Sequence, residues 1–223
     1  MDNINRIFYI NLDHRTDRKN EIESELNIHL THSHYTKKVE RFNAIKCSNG
    51  STGAGAIGCS MSHLEILKLA KARNYKYIIV FEDDFQFLIN KDELYTLVDQ
   101  VFEQVFEQVF AQSLTPALDF KVIMLSYNAL QRTSLANNDI LDSTTNSQTT
   151  AGYLFNCKYI DLLIENYTQG IQLFNKTGEH WNYAIDQYWK KEQNDKWFIF
   201  KKRIGKQRAG YSDIGRQYSD NNC

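Results

Sequence analysis

Apolar positions along this chain come in two patterns, short continuous runs and longer stretches at helical spacing. Ile7-Phe8-Tyr9-Ile10-Asn11-Leu12 is the first run and predicts a strand. After a polar break, Ile22, Leu26 and Leu30 fall at helical spacing, with Thr16 as the expected N-cap. Val39 to Ile45 predicts a second strand, and Ser48 to Gly58 a small-residue loop with four glycines. A helix is expected from Cys59 to Arg73, carrying Met61, Leu64, Leu67 and Leu69, and then a buried strand over Tyr77–Phe81. Val-Phe-Glu-Gln occurs at 101–104 and again at 105–108, followed by Val109-Phe110, which makes an apolar helical stripe best read as packing. Further strands are expected at Lys121–Ser126, Thr150–Asn156 and Trp197–Phe200, and helices at Tyr159–Tyr167 and His180–Lys191. The stretch Gln131–Thr149, rich in Asn, Ser and Thr, reads as an exposed, mobile loop. Strands alternating with helices argue for an α/β sheet with parallel strands.

Composition narrows this to one domain over residues 1–223. The chain is 42% hydrophobic and 24% charged, enough for one sizeable core, and with only Pro116 and 10 glycines it has no low-complexity linker. A net charge of −1 gives no broad basic field, so nucleic acid is not an expected partner. The four cysteines, Cys47, Cys59, Cys157 and Cys223, are scattered without a Cys-x-x-Cys pair or zinc-like spacing, and reduced thiols are expected. No stretch approaches the roughly 20 apolar residues of a membrane span, and the N-terminus lacks the apolar segment of a signal peptide. A soluble, cytoplasmic protein is the expectation.

The candidate chemistry begins at Glu82-Asp83-Asp84, which follows directly on the Tyr77–Phe81 run. Three acids at the end of a buried strand cost free energy unless a cation shares them. Carboxylates suit hard cations such as Mn²⁺ or Mg²⁺, and ligands of open α/β sheets bind beyond the carboxyl ends of the strands. A solvated acidic turn is the plain alternative. A competing signal is Gly53-Ala54-Gly55-Ala56-Ile57-Gly58, which matches the G-x-G-x-x-G fingerprint of NAD-dependent oxidoreductases. Against it, Lys46 to Thr52 separate the first glycine from the strand, where the fingerprint wants a tight turn.

The ordered set of motifs resembles glycosyltransferase family 25, the bacterial lipopolysaccharide and collagen galactosyltransferases. It comprises Tyr9-Ile10-Asn11-Leu12-Asp13 with Arg15 and Arg18, Arg41-Phe42-Asn43-Ala44, and Gly58-Cys59 with Ser62-His63-Leu64. Ile79-Val80-Phe81-Glu82-Asp83-Asp84, Thr150-Ala151-Gly152-Tyr153, Ile185-Asp186, Gln207 and Ser212-Asp213-Ile214 complete it. Gly152 departs from the family's direct Ala-Tyr, and the Val-Phe-Glu-Gln repeat is not a family feature. Short length and AT-rich residue usage look like the single-domain members of bacteria or giant viruses.

The resemblance implies a GT-A fold, a Rossmann-like α/β/α sandwich with a mostly parallel central sheet. It implies an inverting transfer of galactose or glucose from a UDP-sugar to a glycan, lipid-linked saccharide or hydroxylysine acceptor. Glu82 and Asp84 are the expected ligands of Mn²⁺ or Mg²⁺, with Asp83 touching the ribose or supporting them. Asn11, Leu12, Arg15 and Arg18 stand where a nucleotide would bind, and arginine's fork suits a diphosphate; the plain alternative is that Arg15 and Arg18 decorate the first turn of an exposed helix. Ala44 matches a residue that lies against the base. Ser62 and His63 either hold the nucleotide or brace the acids, or are packed helix residues. Asp186 is the candidate base, with a helix carboxylate facing Lys190 as the alternative. Gln207 belongs to a basic segment, 201–223, that is either a lid over the donor or a solvated tail. Cys59 reads as core packing. A sugar-nucleotide-binding homologue without turnover is the other reading of the same motifs.

Overall fold

The computed structural model describes residues 1–47, 53–106, 117–194, 196–212, 214–215 and 217–220. Residues 48–52 of the glycine loop, 107–110 of the repeat, Asp213 of the C-terminal motif and Cys223 lie outside these. In chain order the elements are β1 (Arg6–Asn11), α1 (Thr16–His29), α2 (Ser33–Thr36), β2 (Val39–Asn43), α3 (Ala54–Ala72), β3 (Tyr77–Glu82), β4 (Phe85–Phe87) and α4 (Lys91–Phe106). There follow β5 (Val122–Met124), β6 (Asn128–Ser134), β7 (Leu141–Gln148), β8 (Gly152–Asn156), α5 (Ile160–Thr177), α6 (His180–Tyr183) and α7 (Ile185–Tyr188). The C-terminal strands are β9 (Trp197–Phe200), β10 (Gly205–Gln207), β11 (Gly210–Ser212) and β12 (Gln217–Ser219).

Eight strands form one sheet in the order β2-β1-β3-β8-β5-β9-β7-β6. Strands β7 and β8 run against the other six, so the sheet is mixed but mostly of one direction. Side chains alternate across each strand. Ile79 and Phe81 of β3 join one buried cluster with Ile22 and Leu26 of α1 and Leu94, Val98, Val101 and Phe102 of α4. Ile78 and Val80 join the other, with Leu64 and Leu67 of α3 and Leu163 and Tyr167 of α5. Two apolar faces, each covered by helices, make the expected α/β/α sandwich. The chain leaves β1 through α1 on one face and β2 through α3 on the other, with β2 and β3 both parallel to β1. This is a topological switch point, and it opens a crevice at the carboxyl ends of β1, β2 and β3.

Four expectations are corrected. The 131–149 stretch is a β-hairpin, not a loop. Its polar side chains tie the strands together: Thr144 Oγ1 donates to the Gln131 carbonyl at 2.6 Å, and Arg132 Nε to the buried Asp142 carboxylate at 2.8 Å. Gln193 adds a bond to each backbone group of Ser147. Helix α3 begins at Ala54 rather than Cys59, with Gly53 as N-cap at φ 97°. Gly55 and Gly58 are therefore helical, and a Cβ at Gly58 would collide with the Ile45 carbonyl. Gly58 serves close packing of α3 on the segment after β2, and α3 starts well beyond the end of β2 rather than directly after the strand as a dinucleotide site wants. The 180–191 segment is not one helix; it breaks at Ala184 (ψ 149°) into α6 and α7, followed by a 3-10 turn at Trp189–Glu192. Thr16 is the first residue of α1, and Arg15 occupies the N-cap. Val101 and Phe102 of the repeat are core residues, which agrees with a packing role. Among the described residues no helix is long and apolar enough to cross a membrane.

Candidate active site

The crevice is a cavity of about 600 Å³. Asn11 and Leu12 at the end of β1, Ala44 and Ile45 after β2, Cys59 of α3, Glu82 at the end of β3, and Asp83 and Asp84 just beyond it form its walls. Arg18 of α1 and Gln207, Tyr211 and Ser212 of the C-terminal strands complete it. Residues from both ends of the chain thus meet at one sheet edge.

The acids are held by packing as well as by hydrogen bonds. Immediately after them β4 pairs antiparallel with β10, with Phe85 opposite Gln207. The fully buried Phe85 ring lies against Gly152 and Gly205, where a Cβ on either glycine would overlap it. Both Asp83 and Asp84 are buried. Asn11 Nδ2 donates to Asp83 Oδ2 at 2.8 Å. The Arg18 guanidinium spans the pair, donating to Asp83 Oδ1 at 3.0 Å and Asp84 Oδ2 at 3.1 Å, while its other nitrogen bonds the Tyr211 carbonyl at 2.8 Å. Gln207 Nε2 adds a bond to Asp84 Oδ2 at 3.1 Å, which leaves Asp84 Oδ1 buried without a partner.

Glu82 is fixed from the opposite side. Thr150 Oγ1 donates to its Oε1 at 2.5 Å and His63 Nε2 at 3.3 Å, and the Cys59 thiol lies 3.9 Å from the same oxygen. With His63 Nε2–H given to Glu82, Nδ1 accepts from the Tyr153 hydroxyl at 2.9 Å. The acids titrate differently as a result. Burial pushes all three up. At Glu82, the His63 and Thr150 bonds overcome burial and hold the carboxyl below its ordinary range. At Asp84, burial and the Glu82 charge outweigh Arg18 and raise the carboxyl to about 7. Asp83 is raised by burial, with Asn11 and Arg18 opposing. A buried, unpartnered oxygen beside further carboxylate oxygens is a donor set of the kind that suits a hard divalent cation, which Glu82 and Asp84 could hold.

Four expected site residues lie outside the cavity wall. His63 is fully buried behind Glu82, a placement that suits both the bracing reading and the packed helix residue. Ser62 is also buried; its hydroxyl accepts the Ile45 N–H at 2.8 Å and donates to the Gly58 carbonyl at 2.8 Å, pinning the post-β2 segment to α3. Arg15 pairs with Asp17 at 2.8 Å and donates to the Tyr211 carbonyl at 3.3 Å, gripping the C-terminal segment beside Arg18. Asp186 is half-buried on α7, where Thr149 N–H (3.4 Å) and Gln187 Nε2 (3.2 Å) donate to its Oδ2. Burial raises its carboxyl, opposed by those two bonds.

Three participants were not assigned from sequence. Thr150 was visible only as part of a motif, without a partner. Tyr211 contributes a backbone carbonyl, which no sequence pattern reports. Cys59, read as core, forms part of the cavity wall with its thiol toward Glu82.

No match to the chain was found among curated proteins. Solved structures that it resembles include a glycosyltransferase involved in the glycosylation of the major capsid of PBCV-1, at 9% identity and TM-score 0.45 over 87% of this chain and 80% of that one. The glycosyltransferase GlyE of Streptococcus pneumoniae TIGR4 aligns at 8% identity and TM-score 0.44, over 89% of this chain and 45% of that one. A197 from STIV aligns at 7% identity and TM-score 0.46, over 99% and 97%. The model of glycosyltransferase family 25 (LPS biosynthesis protein) matches residues 48–189. That span holds the acid cluster, the Cys59–His63 helix face, Thr150 and Asp186, and the chain belongs to glycosyltransferase family 25.

Proposed function

We propose that this glycosyltransferase is a cation-assisted, inverting hexosyltransferase. In this reading it moves galactose or glucose from a UDP-sugar to a hydroxyl of a glycan, a lipid-linked saccharide or hydroxylysine. The observation that carries it is the buried acid cluster, with its unpartnered Asp84 oxygen, opening on a cavity of about 600 Å³. Small-ligand sites span roughly 300–1,000 Å³, so a nucleotide sugar is of suitable size.

Glu82 and Asp84 would hold Mn²⁺ or Mg²⁺, which when bound would offset the charge of the departing diphosphate. Arg18 already faces two carboxylates, and its planar fork suits the same diphosphate. Leu12 and Ala44 would flank the base, and Asp83, steadied by Asn11, would reach the ribose. Gln207 and the 201–223 segment would close over the donor, with Arg15 and Arg18 holding the Tyr211 backbone. Asp186 would take the proton of the acceptor hydroxyl as it attacks from the face opposite the diphosphate; its raised carboxyl is better matched to that task near neutral pH.

The test is UDP release against a panel of UDP-sugars, with Mn²⁺ and with EDTA, with and without saccharide acceptors. Turnover of one donor that EDTA abolishes is the expected result. Binding of UDP without turnover of any donor would favour the sugar-nucleotide-binding homologue. No binding of any UDP-sugar, with or without metal, would remove the donor assignment.

A further inference from the structure

We propose that Cys59, His63 and Glu82 form a second metal site, selective for a borderline-soft divalent cation such as Zn²⁺, with its open position toward the cavity. Helix α3 sets Cys59 and His63 four residues apart, on one face. Strand β3 brings Glu82 to that face. One ligand atom from each of Cys59, His63 and Glu82 lies within 4.8 Å of the other two, and around Glu82 Oε1 the His63 Nε2 stands at 3.3 Å and the Cys59 Sγ at 3.9 Å. Zinc bonds of about 2.0–2.3 Å in tetrahedral geometry separate neighbouring ligand atoms by roughly 3.3–3.6 Å. The nitrogen–oxygen pair already has that spacing, and the sulfur closes in on the same oxygen from 3.9 Å to share one ion.

The surroundings match a metal centre as well. A ligating histidine commonly has its second nitrogen hydrogen-bonded, and His63 Nδ1 has the Tyr153 hydroxyl at 2.9 Å. The ion would replace the His63 and Cys59 contacts on Glu82 Oε1 and leave the Thr150 bond at 2.5 Å in place. Cys59 belongs to the cavity wall, which gives the ion an entry path and a fourth position for water or a ligand oxygen. A thiolate–imidazole–carboxylate set favours Zn²⁺ over Mg²⁺ or Mn²⁺. The Cys59 thiol loses its proton to solvent as the sulfur–metal bond forms, and the His63 proton passes from Nε2 to Nδ1, which then donates to the Tyr153 hydroxyl, with no change of oxidation state. One consequence rests on the proposed transferase reading: an ion here takes Glu82 from the hard-cation site, so Zn²⁺ inhibits in competition with Mn²⁺.

The test is titration of the purified, metal-free full chain with Co²⁺, a spectroscopic stand-in for Zn²⁺. A near-ultraviolet thiolate-to-cobalt band with intense tetrahedral visible bands, displaced by Zn²⁺, is expected. The C59S protein, its fold checked by circular dichroism, should lose the thiolate band, and the C47S protein should retain it. Absence of the band in the wild-type chain, or its loss in C47S and survival in C59S, overturns the site. Calorimetry with UDP and Mn²⁺ on the same preparation reports separately on the donor assignment. UDP binding without the cobalt band removes only the metal site, and the band without UDP binding removes only the donor reading.

Discussion

Glu82 and Asp186, far apart in sequence, are held by adjacent residues: Thr150 gives its hydroxyl to Glu82, and Thr149 gives its backbone N–H to Asp186. Thr149 has φ 77°, an uncommon conformation for a β-branched residue, and Thr149 Oγ1 accepts the Ala151 N–H at 3.3 Å. Backbone strain of this kind clusters at functional sites. The turn into β8 thus links the candidate cation holder to the candidate base.

Thr150→Val keeps the shape and removes the hydroxyl that fixes Glu82 Oε1. Groups that orient metal ligands are commonly worth about 10–100-fold in metal affinity. The expected outcome is a rise of that order in the Mn²⁺ concentration for half-maximal UDP release. An unchanged Mn²⁺ requirement would mean that the Glu82 geometry does not depend on Thr150.

Asp186→Asn should lower transfer to acceptor by about 10²–10⁴-fold, the usual worth of a positioned general base, with UDP binding kept. Stopped-flow or steady-state kcat alongside calorimetry with UDP separates the two. If UDP affinity falls together with kcat, Asp186 acts through the donor pocket and the base role is lost.

The acid cluster also dictates a pH dependence. The Asp84 carboxyl is pushed from 3.8 to about 7 by burial and the Glu82 charge, so between those values the folded protein holds a proton that the unfolded chain has released. Stability therefore falls as pH rises through that window. Without added metal, melting temperature should decline from pH 5 to pH 8 more steeply in the wild-type protein than in Asp84→Asn. Asp83 and Asp186, also raised, leave a residual slope in the variant. Equal slopes in both proteins would argue against a protonated Asp84.

What could be read in advance divides by range along the chain. Strand β3 and its acids were legible because the apolar run and the carboxylates are contiguous. Thr150 as the partner of Glu82, and Tyr153 as the partner of His63, were not, because both arrive through the antiparallel pairing of β3 with β8, in which Val80 faces Tyr153. Sequence patterns carry no register between strands so far apart. The β6–β7 hairpin is not legible because its buried Asp142, Thr144 and Ser147 bond to other polar groups, and hydropathy reads such a strand as loop. Helix α3 begins earlier than its apolar spacing indicates because its first turn is built mostly of Ala and Gly, and Gly58 fits against the Ile45 carbonyl only by lacking a Cβ. The three-residue strand β4 is too short to produce a period.

Gly205 of β10 faces the Phe85 ring, and an added Cβ would overlap ring atoms that are themselves fully buried. Overpacking of a closed core costs about 1–3 kcal/mol. At about 2–4 °C per kcal/mol for a domain of this size, Gly205→Ala should lower the melting temperature by roughly 2–12 °C. Because β10 carries Gln207, which bonds Asp84, the same change should weaken Mn²⁺-dependent UDP binding. Phe85→Leu leaves a smaller side chain against the same glycine, so the double variant Phe85→Leu/Gly205→Ala should be more stable than the two single losses added together. A double-mutant cycle of melting temperatures measures that coupling. Strict additivity would show that Phe85 and Gly205 do not constrain each other, and the packing account of how the acids are held after β3 would fall with it.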